Sequence, residues 1–158
     1  MSTRFKPEPY HTLTPTLTIA DGAGVAALEF YQKAFDAKET TRFMHQGKLA
    51  HAELQIGDSV VMLGEEMPEM GYVSPTTLGG TCGGFMLYVP DADTVVARAV
   101  AAGAKPLGQV QDQFYGDRSG TVRDPFGYRW TIATHKEDVS EAEMQRRFQE
   151  LTAAQTTA

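Results

Sequence analysis

From residue 12 to residue 20 apolar side chains stand among threonines, with Leu13, Leu17 and Ile19 on one face of a predicted strand. The interval lengthens after Asp21. Val25, Leu28, Tyr31 and Phe35 recur at helical spacing, and Asp21 stands where a helix N-cap belongs. Beyond Asp36 the pattern is extended again and predicts strands over residues 39–45, 49–56 and 59–63. Gln46-Gly47-Lys48 and Gly57-Asp58 supply the turns between them. Residues 65–81 are rich in proline, glycine, threonine and methionine and have no sustained period, which predicts a connector.

The same order then begins again. Residues 83–89 predict a strand; Asp91 caps a helix with an apolar stripe of Val95, Val96, Ala99 and Val100, which Gly103 ends. Strands follow over residues 105–111, 121–124 and 128–134, the last two joined by the turn Asp124-Pro125-Phe126-Gly127. Ile19-Ala20-Asp21 matches Val89-Pro90-Asp91, and Ala37-Lys38 matches Ala104-Lys105. The expected class is α+β: two βαβββ modules (about residues 10–64 and 82–135) forming a cupped mixed sheet, within one domain spanning 1–158. A ferredoxin-like arrangement leaves strand candidates unplaced. A final helix is predicted over residues 140–153, because Ser140-Glu141-Ala142-Glu143 has the form of a capping box. Met144, Phe148 and Leu151 give it an apolar face that must pack on this chain or on a partner, and the tail after Leu151 is expected to fray.

Composition narrows the function. With 158 residues, 42% of them hydrophobic, the chain can bury one core. A formal charge of −6 argues against a nucleic-acid partner, and acidic neighbours surround the adjacent Arg146 and Arg147. No apolar run has the length of a membrane span, and Met1 to Pro9 has no apolar stretch of signal-peptide type. The lone Cys82 cannot form an internal disulfide, which fits a cytoplasmic location.

The duplicated module, the helix segment Ala26-Ala27-Leu28-Glu29-Phe30-Tyr31 and the hairpin Asp124-Pro125-Phe126-Gly127-Tyr128-Arg129-Trp130 resemble the vicinal-oxygen-chelate superfamily. That group includes glyoxalase I, bleomycin-resistance proteins, fosfomycin-resistance enzymes and extradiol dioxygenases. His51-Ala52-Glu53, the run from Ile56 to Leu63, Phe114-Tyr115-Gly116-Asp117-Arg118 and Ile132-Ala133-Thr134-His135 resemble its PhnB-like branch. The resemblance implies the glyoxalase/bleomycin-resistance fold and a homodimer. It also implies four inward positions that bind a divalent metal in members like glyoxalase I; here they fall on Thr14, Met62, Gly84 and Thr131. None is a suitable ligand, and the flanking residues are no better. No cofactor is therefore expected, with a relocated divalent metal as the lesser alternative.

His51 and Glu53 are two apart on a strand and share a face, with Gln55 beside them and Ala52, Leu54 and Ile56 opposite. The pair can act as acid and base, bind a polar ligand, ligate a metal or simply hydrogen-bond internally. Thr16, Thr18, Met62, Met86, Tyr88, Arg129 and Thr131 are expected in the same cup, a wall suited to a planar or aromatic molecule but also suited to mere filling. The segment 114–120 reads as a loop presenting Phe114 and Tyr115 for stacking and Asp117 and Arg118 for polar contacts, the last two otherwise neutralising each other. Trp130 is expected in the core. Two functions follow: a metal-independent protein binding a small aromatic or amphipathic molecule, or a lyase, isomerase or dioxygenase using His51 and Glu53.

Overall fold

Alternation decides the first sheet. In β1 (Thr16–Ile19) of the computed structural model, which describes residues 5–156, Leu17 and Ile19 are buried while Thr16 and Thr18 face the other way. Helix α1 (Gly24–Phe35) follows, then the antiparallel strands β2 (Lys38–His45), β3 (Lys48–Ile56) and β4 (Ser59–Glu65). The sheet order is β1-β4-β3-β2, with β1 parallel to β4. Pro15 ends the predicted first strand three residues inside its expected start at residue 12, and its carbonyl accepts from Met62 N. The connector carries a 3-10 turn (Pro68–Met70) and the one-turn helix α2 (Pro75–Leu78).

The second sheet repeats the plan. Strand β5 (Gly84–Tyr88) leads to α3 (Ala92–Ala101), and Asp91 caps that helix by accepting from Thr94 N at 3.1 Å. The short strands β6 (Lys105–Pro106) and β7 (Gln111–Asp112) replace the single strand expected over 105–111; Gly108, at φ 152°, bends the chain between them. Strands β8 (Asp117–Arg123) and β9 (Arg129–His135) complete a sheet of order β5-β9-β8-β6, with β7 on β8. The architecture is α+β with two separate mixed sheets and a C-terminal helix, α4 (Glu141–Thr156). That helix continues past the expected end at residue 153 to Thr156; residues 1–4 and 157–158 lie outside the described residues. Ser140 accepts from Glu143 N at 3.3 Å, but Glu143 does not close the box because Arg146 and Arg147 hold its carboxylate.

Asp21 is not the cap of α1. The helix starts at Gly24 after Ala23 with no local side-chain cap, and Asp21 pairs with Lys48 at 2.8 Å. The buried Glu65 carboxylate does the work instead, accepting from Gly22 N at 2.8 Å, Gly24 N at 3.2 Å and Leu49 N at 3.1 Å. Gly24 must be glycine for this approach, since a Cβ there would lie 2.6 Å from Glu65 Oε1 and 2.5 Å from Leu49 Cβ.

The helix-side faces of both sheets are buried in one core. Tyr31 and Phe35 of α1 cross to the second module and pack on Trp130 at centroid distances of 5.6 and 4.8 Å. Trp130 is in the core as expected. Beneath these rings the buried Asp124 carboxylate accepts from Tyr31 Oη (2.7 Å), Trp130 Nε1 (2.9 Å), Phe126 N (2.9 Å) and Tyr128 N (2.9 Å). Replacing it strands four donors, three of them buried, so Asp124→Ala is expected to cost about 3 kcal/mol or more in urea unfolding. A loss below about 1 kcal/mol would show that the carboxylate does not join the modules.

Candidate functional site

A bulge aims His51. The pairing of β2 and β3 steps from Phe43↔His51 to Met44↔Leu49, so Ala50 is unpaired and both Leu49 and Ala52 stay on the helix side. Gly64 accommodates it, because a Cβ there would sit 2.8 Å from the Ala50 carbonyl oxygen. His51, Glu53 and Gln55 therefore share the outer face with Thr16, Thr18 and Met62.

The arriving N-terminal segment completes this face. Tyr10 Oη donates to Glu53 Oε2 at 2.6 Å, and His51 Nε2 lies 3.2 Å from Glu53 Oε1. Phe43 stacks on the His51 ring at 6.2 Å. The Tyr10 hydroxyl, and after it the His51 ring, hold the Glu53 carboxyl below the usual carboxylate range against partial burial. Beside the pair is a cavity of about 250 Å³, with Thr16, Thr18, His51 and Gly64 on its floor. Its wall is Met67, Met70 and Tyr72, drawn over the sheet where the connector closes through the Met67 N to Tyr72 O bond of 2.9 Å. Nothing local in the sequence marks Tyr10 or these connector residues, because their partners are tens of positions away.

The other predicted residues lie on the second sheet. Met86 and Tyr88 of β5 are half-exposed on its outer face and border a cleft of about 490 Å³ whose opposite side is Leu13, Pro15 and Val60. Tyr88 Oη donates to Asp117 Oδ2 at 2.8 Å, and Asp117 Oδ1 meets His135 Nδ1 at 2.8 Å. His135 Nε2 meets Asp138 at 3.0 Å, so both ring nitrogens face carboxylates and its pKa is raised, by Asp117 first and Asp138 next. The predicted loop 114–120 shrinks to a turn at Phe114–Gly116, because β8 begins at Asp117. Strand alternation then sends Asp117 and Arg118 to opposite faces, so they do not neutralise each other. Arg118 clamps Asp93 of α3 at 2.6 and 2.9 Å and Asp112 at 3.1 Å on the helix side. Phe114 lies against Tyr115 and against Phe148 of α4, with centroids 5.1 and 5.3 Å apart. Phe148 and Leu151 are nonetheless half-exposed.

The four implied metal positions do not fit a metal. Met62 is aligned with Thr16 and Thr131 with Met86, while Thr14 precedes β1 and Gly84 begins β5. Threonine, methionine and glycine do not supply the donors a divalent ion needs, and no group of three His, Cys, Asp or Glu side chains among the described residues could hold one. The predicted set is thus divided between two places: a His51–Glu53 cavity on the first sheet, and Met86, Tyr88, Asp117 and Arg129 on the second.

Duplicated modules of this order match a family model, that of the Glyoxalase/Bleomycin resistance protein/Dioxygenase superfamily, over residues 14–132. The chain belongs to this superfamily. An uncharacterized protein of Mycobacterium bovis is 42% identical over 137 residues, covering 84% of this chain and 89% of the relative. The crystal structure of an Arabidopsis thaliana gene product superposes with a TM-score of 0.64 at 26% identity, covering 78% of this chain and 98% of that one. TioX from a Micromonospora species gives 0.61 at 26% identity with the same coverage. No helix of the described residues is long and apolar enough to cross a membrane.

Two titrations test the polar clusters of this superfamily member. Tyr10→Phe is expected to raise the Glu53 pKa, read by carboxyl NMR; no change would show that the hydroxyl does not hold the carboxylate. His135 is expected to titrate above the ordinary value of about 6.5. Its folded-state pKa is raised, so its contribution is present below about pH 6.5 and is lost as pH rises through the folded value. The stability gap between the wild-type chain and His135→Gln should therefore close with rising pH, and a gap that widens would contradict the clamp.

Proposed function

We propose that this chain is a PhnB-like member of the superfamily that binds a small planar or amphipathic molecule without a metal, as a cytoplasmic homodimer. One observation carries the reading: methionine and tyrosine line the open hollows while the implied metal positions carry no suitable donor. His51, hydrogen-bonded to Glu53, gives a ligand in the first hollow a polar contact at its floor, and Met86 and Tyr88 give a ligand in the cleft a stacking wall. The exposed Phe43, Met86 and Tyr88 on outer sheet faces support pairing of two chains. A second reading has a specific basis in the Tyr10–Glu53–His51 chain of hydrogen bonds: a lyase, isomerase or dioxygenase with His51 as base and Glu53 as its orienting partner.

Thermal-shift titrations with planar aromatic compounds, and separately with Zn, Ni, Mn and Fe(II), test this reading. Saturable stabilisation by an aromatic compound, indifferent to chelator and weakened about tenfold by Tyr72→Ala or Met86→Ala, is the expected result. Metal bound in stoichiometric amount, or metal stabilisation abolished by His51→Ala, would overturn it. Turnover of a bound compound that His51→Ala abolishes without loss of fold would establish the enzyme instead.

A further inference from the structure

One row of the second sheet carries three cations. The strand registers place Lys105 of β6 opposite Arg123 of β8, Arg123 opposite Arg129 of β9, and Arg129 beside Gly84 of β5. Residues in register across adjacent strands project from the same face, so the three side chains rise together within about 10 Å. All three are exposed. Like charges directly opposite one another destabilise a sheet, and a chain of net charge −6 has acidic groups to spare for neutralising them. None is used here. Arg42, Arg98, Arg118, Arg146 and Arg147 are each ion-paired, whereas neither Arg123 nor Arg129 has an ion-pair or hydrogen-bond partner for its guanidinium among the described residues. Asp124, next in sequence to Arg123, faces inward to Tyr31 and Trp130.

The row also opens on a hollow. A cavity of about 340 Å³ has Arg123 and Arg129 on one side, and Thr76, Gly79, Gly80 and Thr81 on the other. A Cβ at Gly79 or Gly80 would meet nothing within 4 Å, so this wall is bare backbone around open space. Arg129 and Thr81 continue into a second hollow of about 320 Å³ that reaches Met86. Unpaired guanidinium forks beside an open glycine-rich segment are the components of an oxyanion site.

We propose that Lys105, Arg123 and Arg129 bind a small-molecule oxyanion carrying two negative charges, the end group of a phosphate monoester or a dicarboxylate. The anion relieves the cross-strand repulsion that the empty row carries. This site is distinct from the His51–Glu53 cavity and does not depend on the aromatic ligand proposed above.

Calorimetric titration of the full chain with inorganic phosphate and with succinate, at ionic strength matched with chloride, tests the site. Saturable binding of at least one is expected, weakened about tenfold or more by Arg123→Gln or Arg129→Gln and unchanged by His51→Ala. Phosphate binding with succinate silent identifies a phosphoryl group, and the converse a dicarboxylate. Neither anion saturating, or binding unchanged in both arginine variants, overturns the proposal. Thermal melts supply a second reading. Without oxyanion, Arg123→Gln should melt no lower than wild type, and phosphate should raise the melting temperature of the wild type alone; equal phosphate stabilisation of both proteins counts against the site.

Discussion

The Asp124 carboxylate is the joint on which the two modules depend. It is buried, and burial pushes its pKa up, while the four donors converging on it work in the opposite sense. Two of those donors are backbone amides of its own hairpin, one is the indole of β9, and one is the hydroxyl of Tyr31 in the other module. The aromatic layer of Tyr31, Phe35, Phe126 and Trp130 packs around this polar centre, so the helix-side faces must meet there. A second buried carboxylate, Glu65, does the corresponding task inside the first module by satisfying the start of α1.

Once the helix sides are committed to the core, the outer faces are what remains for function. Each carries a tyrosine–carboxylate–histidine grouping, Tyr10–Glu53–His51 on the first sheet and Tyr88–Asp117–His135 on the second. They are not equivalent. His51 sits at the floor of a hollow walled by methionines and has one carboxylate neighbour among the described residues, which leaves its other ring nitrogen without a partner among them. His135 spends both nitrogens on Asp117 and Asp138, an arrangement that fixes the end of β9. Superfamily membership sets the scaffold, but the reaction or ligand must be read from these faces.

Much of the scaffold was legible along the chain. Period-two and helical spacing placed β1, α1, β3, α3 and β9 within a few residues, because burial of one face imposes its period on any sequence. The i, i+2 spacing of His51 and Glu53 placed them on one face, and Asp91 marked its helix start because a cap and its amide are three residues apart. Spacing failed where the partner is remote. Glu65 caps α1 from more than 40 positions away, and Arg118 leaves the predicted site for Asp93 on α3.

What the sequence by itself determined is thus most of the elements and the side of each strand that is buried. Those are properties of local period and residue type. Only the tertiary structure decided that His51 and Glu53 stand apart from Met86 and Tyr88, that Tyr10 closes over Glu53, and that Lys105, Arg123 and Arg129 form one unpaired row. Each depends on strand register and on how the modules meet, and these are set by contacts between residues distant in sequence, which no local pattern encodes.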